Sequence, residues 1–163
     1  MEQSAPILQL NLINIVKRPM CSFIHNDVEI LALFDSGALI PVWCTSEKAF
    51  LKAYPEAELI NKDGYISGFG EGVSKCKIYK LPVFELSNGN DFYRILNLHV
   101  AVCQNPEIGC SLVMSDTMFS KTDTLIKRRG NKMLEIFADK NEYQCTFQYL
   151  DSGKLSISVW TQS

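Results

Sequence analysis

The chain has 163 residues, of which 47% are hydrophobic and 21% are charged, and its formal net charge is −2 at pH 7. These values are typical of one soluble globular domain that buries a core, and they give no support for a nucleic-acid partner. The sequence contains no apolar run long enough to cross a membrane, and Glu2 stands where a secretory signal would carry basic charge. We therefore expect a cytoplasmic protein without a membrane partner.

The first half of the chain predicts two strands, a further apolar run and a short helix. Strict alternation predicts a half-buried strand over residues 7–15, and the denser apolar run VEILALF predicts a buried strand over residues 28–34. The run IPVW at residues 40–43 resumes this apolar character. TSEKAFLKAY, residues 45–54, predicts a short helix that Pro55 ends.

The second half predicts strands, tight turns and a further helix. GYISGFGEGV, residues 64–73, predicts a glycine-rich hairpin tip, and SNGND predicts a turn before a strand over residues 92–102. Residues 115–128 predict a helix that ends near the basic run at residues 127–129. The alternating tail predicts a terminal hairpin. The fold class is therefore mostly β with one or two short helices.

The six cysteines and two histidines of the chain lack the spacing of metal ligands. No C-x-x-C pair occurs, and we expect reduced thiols, several of them in the core. His25 and His99 stand alone, and His99 lies in the apolar run ILNLHVAV, which is typical of a strand. The sequence therefore predicts no metal site and no cofactor.

Asp35 is the residue that points to chemistry, because it stands between the apolar runs ILALF and SGALIPVW. Removing an ionised carboxylate from water is costly unless charges or hydrogen bonds compensate. Asp-Ser-Gly can also close an ordinary tight turn. However, turns lie on the surface, and these flanks are as apolar as a core strand. We therefore interpret Asp35 as a functional residue.

The stretch ALFDSGALIPVW resembles the active-site loop of the retropepsin-like aspartic proteases. The resemblance implies that Asp35 activates a water molecule for attack on a peptide carbonyl. It also implies that Ser36 braces two active-site loops against each other and that Gly37 permits close backbone approach. Ala38 matches the small residue after the glycine and is expected at the substrate. The implied fold is the single-lobe acid-protease β-barrel, an obligate two-fold dimer.

Members of this family cover the cleft with a glycine-rich hairpin, the flap. GYISGFGEGV begins 29 residues after Asp35, and Gly68-Phe69-Gly70 resembles the flap tip. The resemblance implies substrate contacts from this hairpin, through Ile66, Ser67, Gly68, Phe69 and Gly70. An ordinary glycine-rich loop is the alternative interpretation.

Late in their sequences, members of this family carry an apolar pair and a glycine before a short helix. LVMSDTMF at residues 112–119 matches this segment imperfectly. Val113 and Met114 fit the apolar pair, and Val113 is expected to contact substrate. Ser115 stands at the glycine position, so either serine replaces glycine or the alignment is shifted. We expect a single domain over residues 1–163, with a core over about 7–126 and a C-terminal hairpin extension over about 131–163.

Asp-Ser-Gly occurs a second time at residues 151–153, in a different setting. Only 12 residues follow Asp151, Lys154 stands where a small apolar residue belongs, and the flanks alternate apolar and polar residues. These features predict a hairpin turn. One chain then supplies one catalytic aspartate, which predicts a homodimer with the two copies of Asp35 on its axis. The terminal strands, residues 7–15 and 143–160, are candidates for the dimer sheet.

The predicted function is hydrolysis, by a homodimeric aspartic endopeptidase, of a polypeptide bound in extended form. One alternative is a catalytically inactive dimerisation or peptide-binding module, which the serine at position 115 and the unmatched tail favour. A further alternative is an unrelated β-barrel in which FDSGA is a coincidence.

Overall fold

The computed structural model describes the backbone of residues 8–15, 18–35, 38, 40–67, 73–87, 91–105, 109–115, 118, 125–129, 132–137, 143–149 and 155–161. Side chains are described at residues 20–35, 38, 40–66, 73–86, 94–105, 109–115 and 118. In these parts of the chain, twelve strands form one sheet, and one short helix packs against it. The predicted mostly-β class is confirmed.

The first three strands form an antiparallel meander of β1 (Leu8–Ile15), β2 (Arg18–His25) and β3 (Val28–Phe34). Asn26 and Asp27 connect β2 to β3 with φ values of 48° and 61°. A two-residue hairpin turn needs this left-handed conformation, and Asn and Asp tolerate it. The predicted strands that correspond to β1 and β3 are confirmed. The strand β2 is not predicted from the sequence, because Pro19 and polar residues interrupt its apolar pattern.

The strand β3 is buried on both faces of the sheet. Its side chains Ile30, Ala32 and Phe34 enter a first core cluster that also contains the aromatic core of the protein. Leu31 and Leu33 pack against a second core cluster on the opposite face. Burial on both faces explains why this strand reads as a continuous apolar run without alternation. The buried members of the second core cluster are Met20, Val42, Cys44, Cys76, Ala101, Cys103, Cys110 and Val113.

A strand from late in the chain is inserted beside β3. This strand, β8 (Leu112–Met114), runs parallel to β3 and antiparallel to β4 (Val42–Trp43). In turn, β4 runs parallel to β7 (Asp91–Val102). Thus β8 separates two strands, β3 and β4, that are consecutive in the sequence.

Two long strands form a hairpin arm, β5 (Glu58–Ser67) and β6 (Val73–Ser87), with Ser67 opposite Val73 at the last described pair. The far half of β6 pairs with β7 as far as Ser87 opposite Phe92. Both predicted hairpins and the strand over residues 92–102 are confirmed. The two hairpin tips, residues 68–72 and 88–90, lie outside the described residues.

The predicted helix after β4 is confirmed as α1 (Glu47–Ala53). The Ser46 hydroxyl accepts a hydrogen bond from the N–H of Ala49 at 3.1 Å, which caps the helix N-terminus. Phe50 and Ala53 are fully buried in the first core cluster, so α1 covers one face of the sheet. Over the described residues, no helix has the length and apolar character needed to cross a membrane.

The last four strands are β9 (Leu125–Arg129), β10 (Lys132–Phe137), β11 (Tyr143–Tyr149) and β12 (Leu155–Thr161). β9 pairs with β7 and β10, while β12 pairs with β1 and β11. The predicted terminal hairpin is confirmed as the β11–β12 pair. Because β12 also pairs with β1, this hairpin extends the main sheet.

The helix predicted over residues 115–128 is wrong for residues 125–128, which belong to β9. The backbone of β9 pairs with β7 on one side and β10 on the other, and the Gly130-Asn131 dipeptide between β9 and β10 is a hairpin signal that outweighs the helical spacing. The basic run at residues 127–129 therefore lies on a strand. Residues 119–124 lie outside the described residues.

Strands β10 and β11 lie at the two ends of the sheet order. A closed barrel would require a further strand pairing between the ends of the sheet, and the described pairings include none between β10 and β11. The single-lobe barrel therefore stays a prediction, while the single mostly-β sheet is observed.

Glu47, in the first turn of α1, joins the helix to β6. Its carboxylate accepts hydrogen bonds from Lys77 Nζ at 3.0 Å and from the Tyr79 hydroxyl at 2.7 Å. These two hydrogen bonds lower the pKa of Glu47, since they favour its charged form.

We predict that Glu47→Gln reduces the acid sensitivity of the fold. A carboxyl group whose pKa is lower in the folded state stabilises the protein above its unfolded pKa of about 4.3, and this contribution is lost as the pH falls through the folded pKa. Because Glu47 and Lys77 are partly exposed, the substitution should lower the free energy of unfolding at neutral pH by no more than about 1 kcal/mol. Urea unfolding at neutral pH and at about pH 3 measures both effects. Equal acid sensitivity in both proteins would contradict the prediction.

Candidate active site

Asp35 directly follows β3, at the point where β8 also ends. Its backbone N–H donates to the carbonyl of Met114 at 2.9 Å, which extends the parallel pairing of β3 and β8 by one residue. Its own carbonyl accepts from the N–H of Ala38 at 3.2 Å, the spacing of a β-turn. The backbone of Asp35 is therefore fixed on two sides.

The side chain of Asp35 is exposed, although the strands that carry it are buried. Phe34 is 5% exposed and Met114 is fully buried. The apolar flanks of Asp35 thus anchor the strands in the core, while Asp35 itself is exposed at the surface of the single chain. Ser36 and Gly37, predicted as the brace and the close-approach glycine, lie outside the described residues.

The segment after β8 contains a buried polar residue at a position where the resemblance calls for glycine. Ser115 is fully buried, and its carbonyl accepts from the N–H of Met118 at 3.3 Å. Val113, one of the predicted substrate contacts, is 3% exposed and belongs to the second core cluster. This burial leaves Val113 little surface for contact with a substrate.

The second core cluster links the Asp35 segment to the hairpin arm. Ala38 and Ile40, which follow Asp35, pack against this cluster, and so does Ile66 near the end of β5. Tyr65, the neighbour of Ile66, is 67% exposed and faces the other way. The structure therefore brings together Ala38, Ile66 and Val113. The side chain of Ser67 and residues Gly68, Phe69 and Gly70 lie outside the described residues.

Four of the predicted core cysteines lie in this same cluster. Burial raises the pKa of Cys76 and Cys103, and a hydrogen bond with Cys110 together with burial raises the pKa of Cys44. The thiols of Cys44, Cys76 and Cys103 therefore stay protonated and are poor nucleophiles. Among the residues whose positions are described, no group of three or more histidine, cysteine or acidic side chains could hold a metal ion.

The second Asp-Ser-Gly, residues 151–153, also lies outside the described residues. The strands on either side of it, β11 and β12, pair in register from Tyr149 opposite Leu155 to Tyr143 opposite Thr161. They are the two strands of a hairpin, as the alternating flanks predict.

The described part of the chain has an exposed aspartate at the end of a buried strand, an inserted parallel strand beside it and a long hairpin arm. Comparison with solved structures finds the crystal structure of a retropepsin-like aspartic protease from Rickettsia conorii. The two chains are 12% identical, with a TM-score of 0.50, and the alignment covers 99% of this chain and 100% of that one. The predicted resemblance is therefore confirmed at the level of the fold. No protein-family model and no curated protein matches the sequence.

Proposed function

We propose that the chain is one subunit of a homodimeric aspartic endopeptidase, in which the Asp35 carboxylates of two copies form the catalytic pair. One observation carries this proposal. Asp35 is presented at the surface from a backbone that is held by β8, in a fold similar to that of a retropepsin-like aspartic protease.

The chemistry needs two carboxylates in contact. Two carboxyl groups about 3 Å apart cannot both ionise, so they share one proton. The ionised group takes a proton from the attacking water, and the protonated group donates a hydrogen bond to the carbonyl of the scissile peptide. A single Asp35 can supply only one of these roles at a time, and the exposure of Asp35 leaves room for a second copy to approach it.

The substrate would lie in extended form between the Asp35 segment and the hairpin arm. An extended peptide can add a strand to this arm through backbone hydrogen bonds. Ile66 belongs to the face of the arm that packs toward the second core cluster, and the glycine-rich tip at residues 68–70 would close over the peptide. Substrates with apolar side chains next to the scissile bond would fit this apolar lining.

The free edges of the sheet support a dimer formed through β11. Native proteins protect exposed strand edges with charges, prolines or bulges. The unpaired edge of β5 carries Glu58 and Asp63 and has register shifts, while β10 carries Lys132 and Glu135 and a further shift. The sequence of β11, YQCTFQY, has no charge and no proline, and its seven pairs with β12 are regular. Of the two strands that end the sheet order, β10 and β11, β11 therefore has the less protected edge.

The N-terminal strand stays a candidate for the dimer sheet. Each residue of β1 is paired on one side within the chain, residues 8–12 with β12 and residues 13–15 with β2. Deleting the terminal hairpin would therefore also leave β1 without its partner. A change confined to β11 tests the dimer more cleanly.

We predict that wild-type protein cleaves peptides between about pH 4 and 7 and that Asp35→Asn abolishes the cleavage, because an amide cannot act as the general base. A peptide library with mass-spectrometric readout measures cleavage, and sedimentation of both proteins checks that the dimer is retained. Asp27→Asn, in the turn at the far end of β3, is a control that removes a different exposed carboxylate.

Retained cleavage in Asp35→Asn would contradict the proposal. If an intact wild-type dimer cleaved nothing, the inactive binding module would be the better account, and the buried Ser115 at the family's glycine position is the observation that favours that alternative.

We predict that Gln144→Lys combined with Gln148→Lys converts the dimer to a monomer. Both residues alternate with Phe147, and Gln148 lies opposite Ser156 while Gln144 lies opposite Trp160 of β12. The aliphatic stem of a lysine can pack along an apolar neighbour, so the fold should tolerate the change. In an antiparallel pair of β11 strands centred on Thr146, each lysine would face a lysine of the second copy. Equilibrium sedimentation measures the change, with Leu59→Lys and Asn61→Lys on the β5 edge as the matched control. A dimer of unchanged affinity would contradict pairing through β11.

A further inference from the structure

Four buried cysteines form a row across the face of the sheet that α1 does not cover. They lie on or next to the neighbouring strands β6, β7, β4 and β8, and all four belong to the second core cluster. In the order of these strands, the cysteine row is Cys76, Cys103, Cys44 and Cys110. The proposed catalytic pair uses none of these thiols, so their chemistry does not depend on the proposed function.

The backbone places neighbouring members of the cysteine row side by side. The register of β6 with β7, continued by one position, brings Cys76 opposite Cys103. The N–H of Cys103 donates to the carbonyl of Trp43 at 2.9 Å, which continues the parallel pairing of β4 with β7 and sets Cys103 beside Cys44. Facing residues on paired strands have Cα atoms about 5 Å apart, which is within the span of a disulfide.

Cys44 and Cys110 are the members of the row whose thiols are in contact. The N–H of Cys44 donates to the carbonyl of Ser111 at 2.7 Å, which brings Cys110, the residue before Ser111, up to Cys44. The thiols of Cys44 and Cys110 share a hydrogen bond. The Cys103 thiol instead donates to the carbonyl of Lys75, at 3.5 Å. Joining Cys44 to Cys110 therefore requires two sulfurs that already touch to approach to about 2.05 Å.

The two thiols of this pair are not equivalent. The hydrogen bond with Cys110 is the largest cause that raises the pKa of Cys44, and burial adds to it. A thiol that is kept protonated in this way donates to its partner sulfur, and this donation favours the ionised form of the partner. Cys110 is therefore the sulfur of the pair that ionises first, and a thiolate is the form of cysteine that reacts with an oxidant.

The Cys44–Cys110 pair lies just beneath the surface of the chain. Cys110 is 6% exposed and Cys44 is 1% exposed. Their neighbours are more accessible, since Gly109 is exposed and Thr45 is partly exposed. This degree of burial is compatible with a small oxidant such as hydrogen peroxide, and it disfavours a bulky disulfide reagent.

We propose that Cys44 and Cys110 are a peroxide-sensitive modification site and form a reversible disulfide. The Cys110 thiolate attacks one oxygen of hydrogen peroxide, the O–O bond breaks, and the departing hydroxide takes up the proton that Cys110 released, which leaves Cys110 as a sulfenic acid. The Cys44 sulfur then attacks the Cys110 sulfur, the S–O bond breaks, and hydroxide leaves with the Cys44 proton as water. The two sulfurs lose two electrons in total, and the peroxide accepts them. A thiol reductant reverses the bond by exchange.

Peptide mapping of peroxide-treated protein tests this proposal. Folded full-length protein is treated with hydrogen peroxide, the remaining thiols are alkylated, and the peptides are mapped by mass spectrometry without reduction. We expect the loss of two thiols per chain and a peptide that links Cys44 to Cys110, which disappears after treatment with dithiothreitol. Cys21 is the internal control, because it is partly exposed, packs against the first core cluster, and has a pKa that burial raises to about 11. It should stay reduced.

Single serine variants separate the roles of the two thiols. Cys44→Ser keeps a hydroxyl that can donate to the Cys110 thiolate but removes the second sulfur, so dimedone should trap Cys110 as a sulfenic acid. Cys110→Ser should leave Cys44 unlabelled by dimedone. Cys21→Ser is the matched control and should keep the Cys44–Cys110 disulfide.

The wild-type experiment alone can overturn the proposal, whether or not each variant folds. It is overturned if folded wild-type protein yields no peptide that links Cys44 to Cys110, or if Cys21 is oxidised before Cys110. A disulfide that joins Cys103 to Cys44 or to Cys76 in place of the proposed one overturns it also, and so does dimedone labelling of Cys44 in a folded Cys110→Ser.

Discussion

The parallel pairing of β3 with β8 is the constraint on which the candidate site depends. It buries β3 on both faces, places Met114 beside Phe34, and lets the Met114 carbonyl hold the N–H of Asp35 at 2.9 Å. A strand buried on both sides cannot shift its register without exposing apolar side chains. The position of Asp35 is therefore set by the core, and its carboxylate can be exposed without being loosely placed.

Because of this arrangement, the proposed chemistry depends on the assembly of two chains. Catalysis by an aspartate pair needs a shared proton, and the fold presents Asp35 at the surface at the end of one strand. The second Asp-Ser-Gly follows β11, a strand of the terminal hairpin. Under the proposed function, the partner carboxylate comes from a second copy, and the uncharged edge of β11 offers a way for that copy to pair.

The features predicted correctly from the sequence are those encoded by neighbouring residues. The run VEILALF, the capped helix before Pro55 and the strands around each turn all carry their signal within a few positions. The insertion of β8 between β3 and β4 carries no such signal, because it joins residues about 80 positions apart and depends on packing across the sheet. Long-range pairing also explains why the helix prediction is wrong at β9. Its apolar residues have helical spacing, but its backbone pairs with β7 and β10. Asp35 stands out in the sequence because a charge inside an apolar run is a local feature. The exposure of its side chain depends on how the strands pack, which no local pattern encodes.

Subunit mixing tests the central claim most directly, that one active site needs Asp35 from two chains. Wild-type protein is mixed with an equal amount of Asp35→Asn, the subunits are allowed to exchange, and peptide cleavage is measured at fixed total protein. If both copies of Asp35 are required, only dimers of two wild-type chains are active, and activity falls to about one quarter of that of the unmixed wild type. Activity of about one half would mean that each chain carries a complete site and would contradict the account.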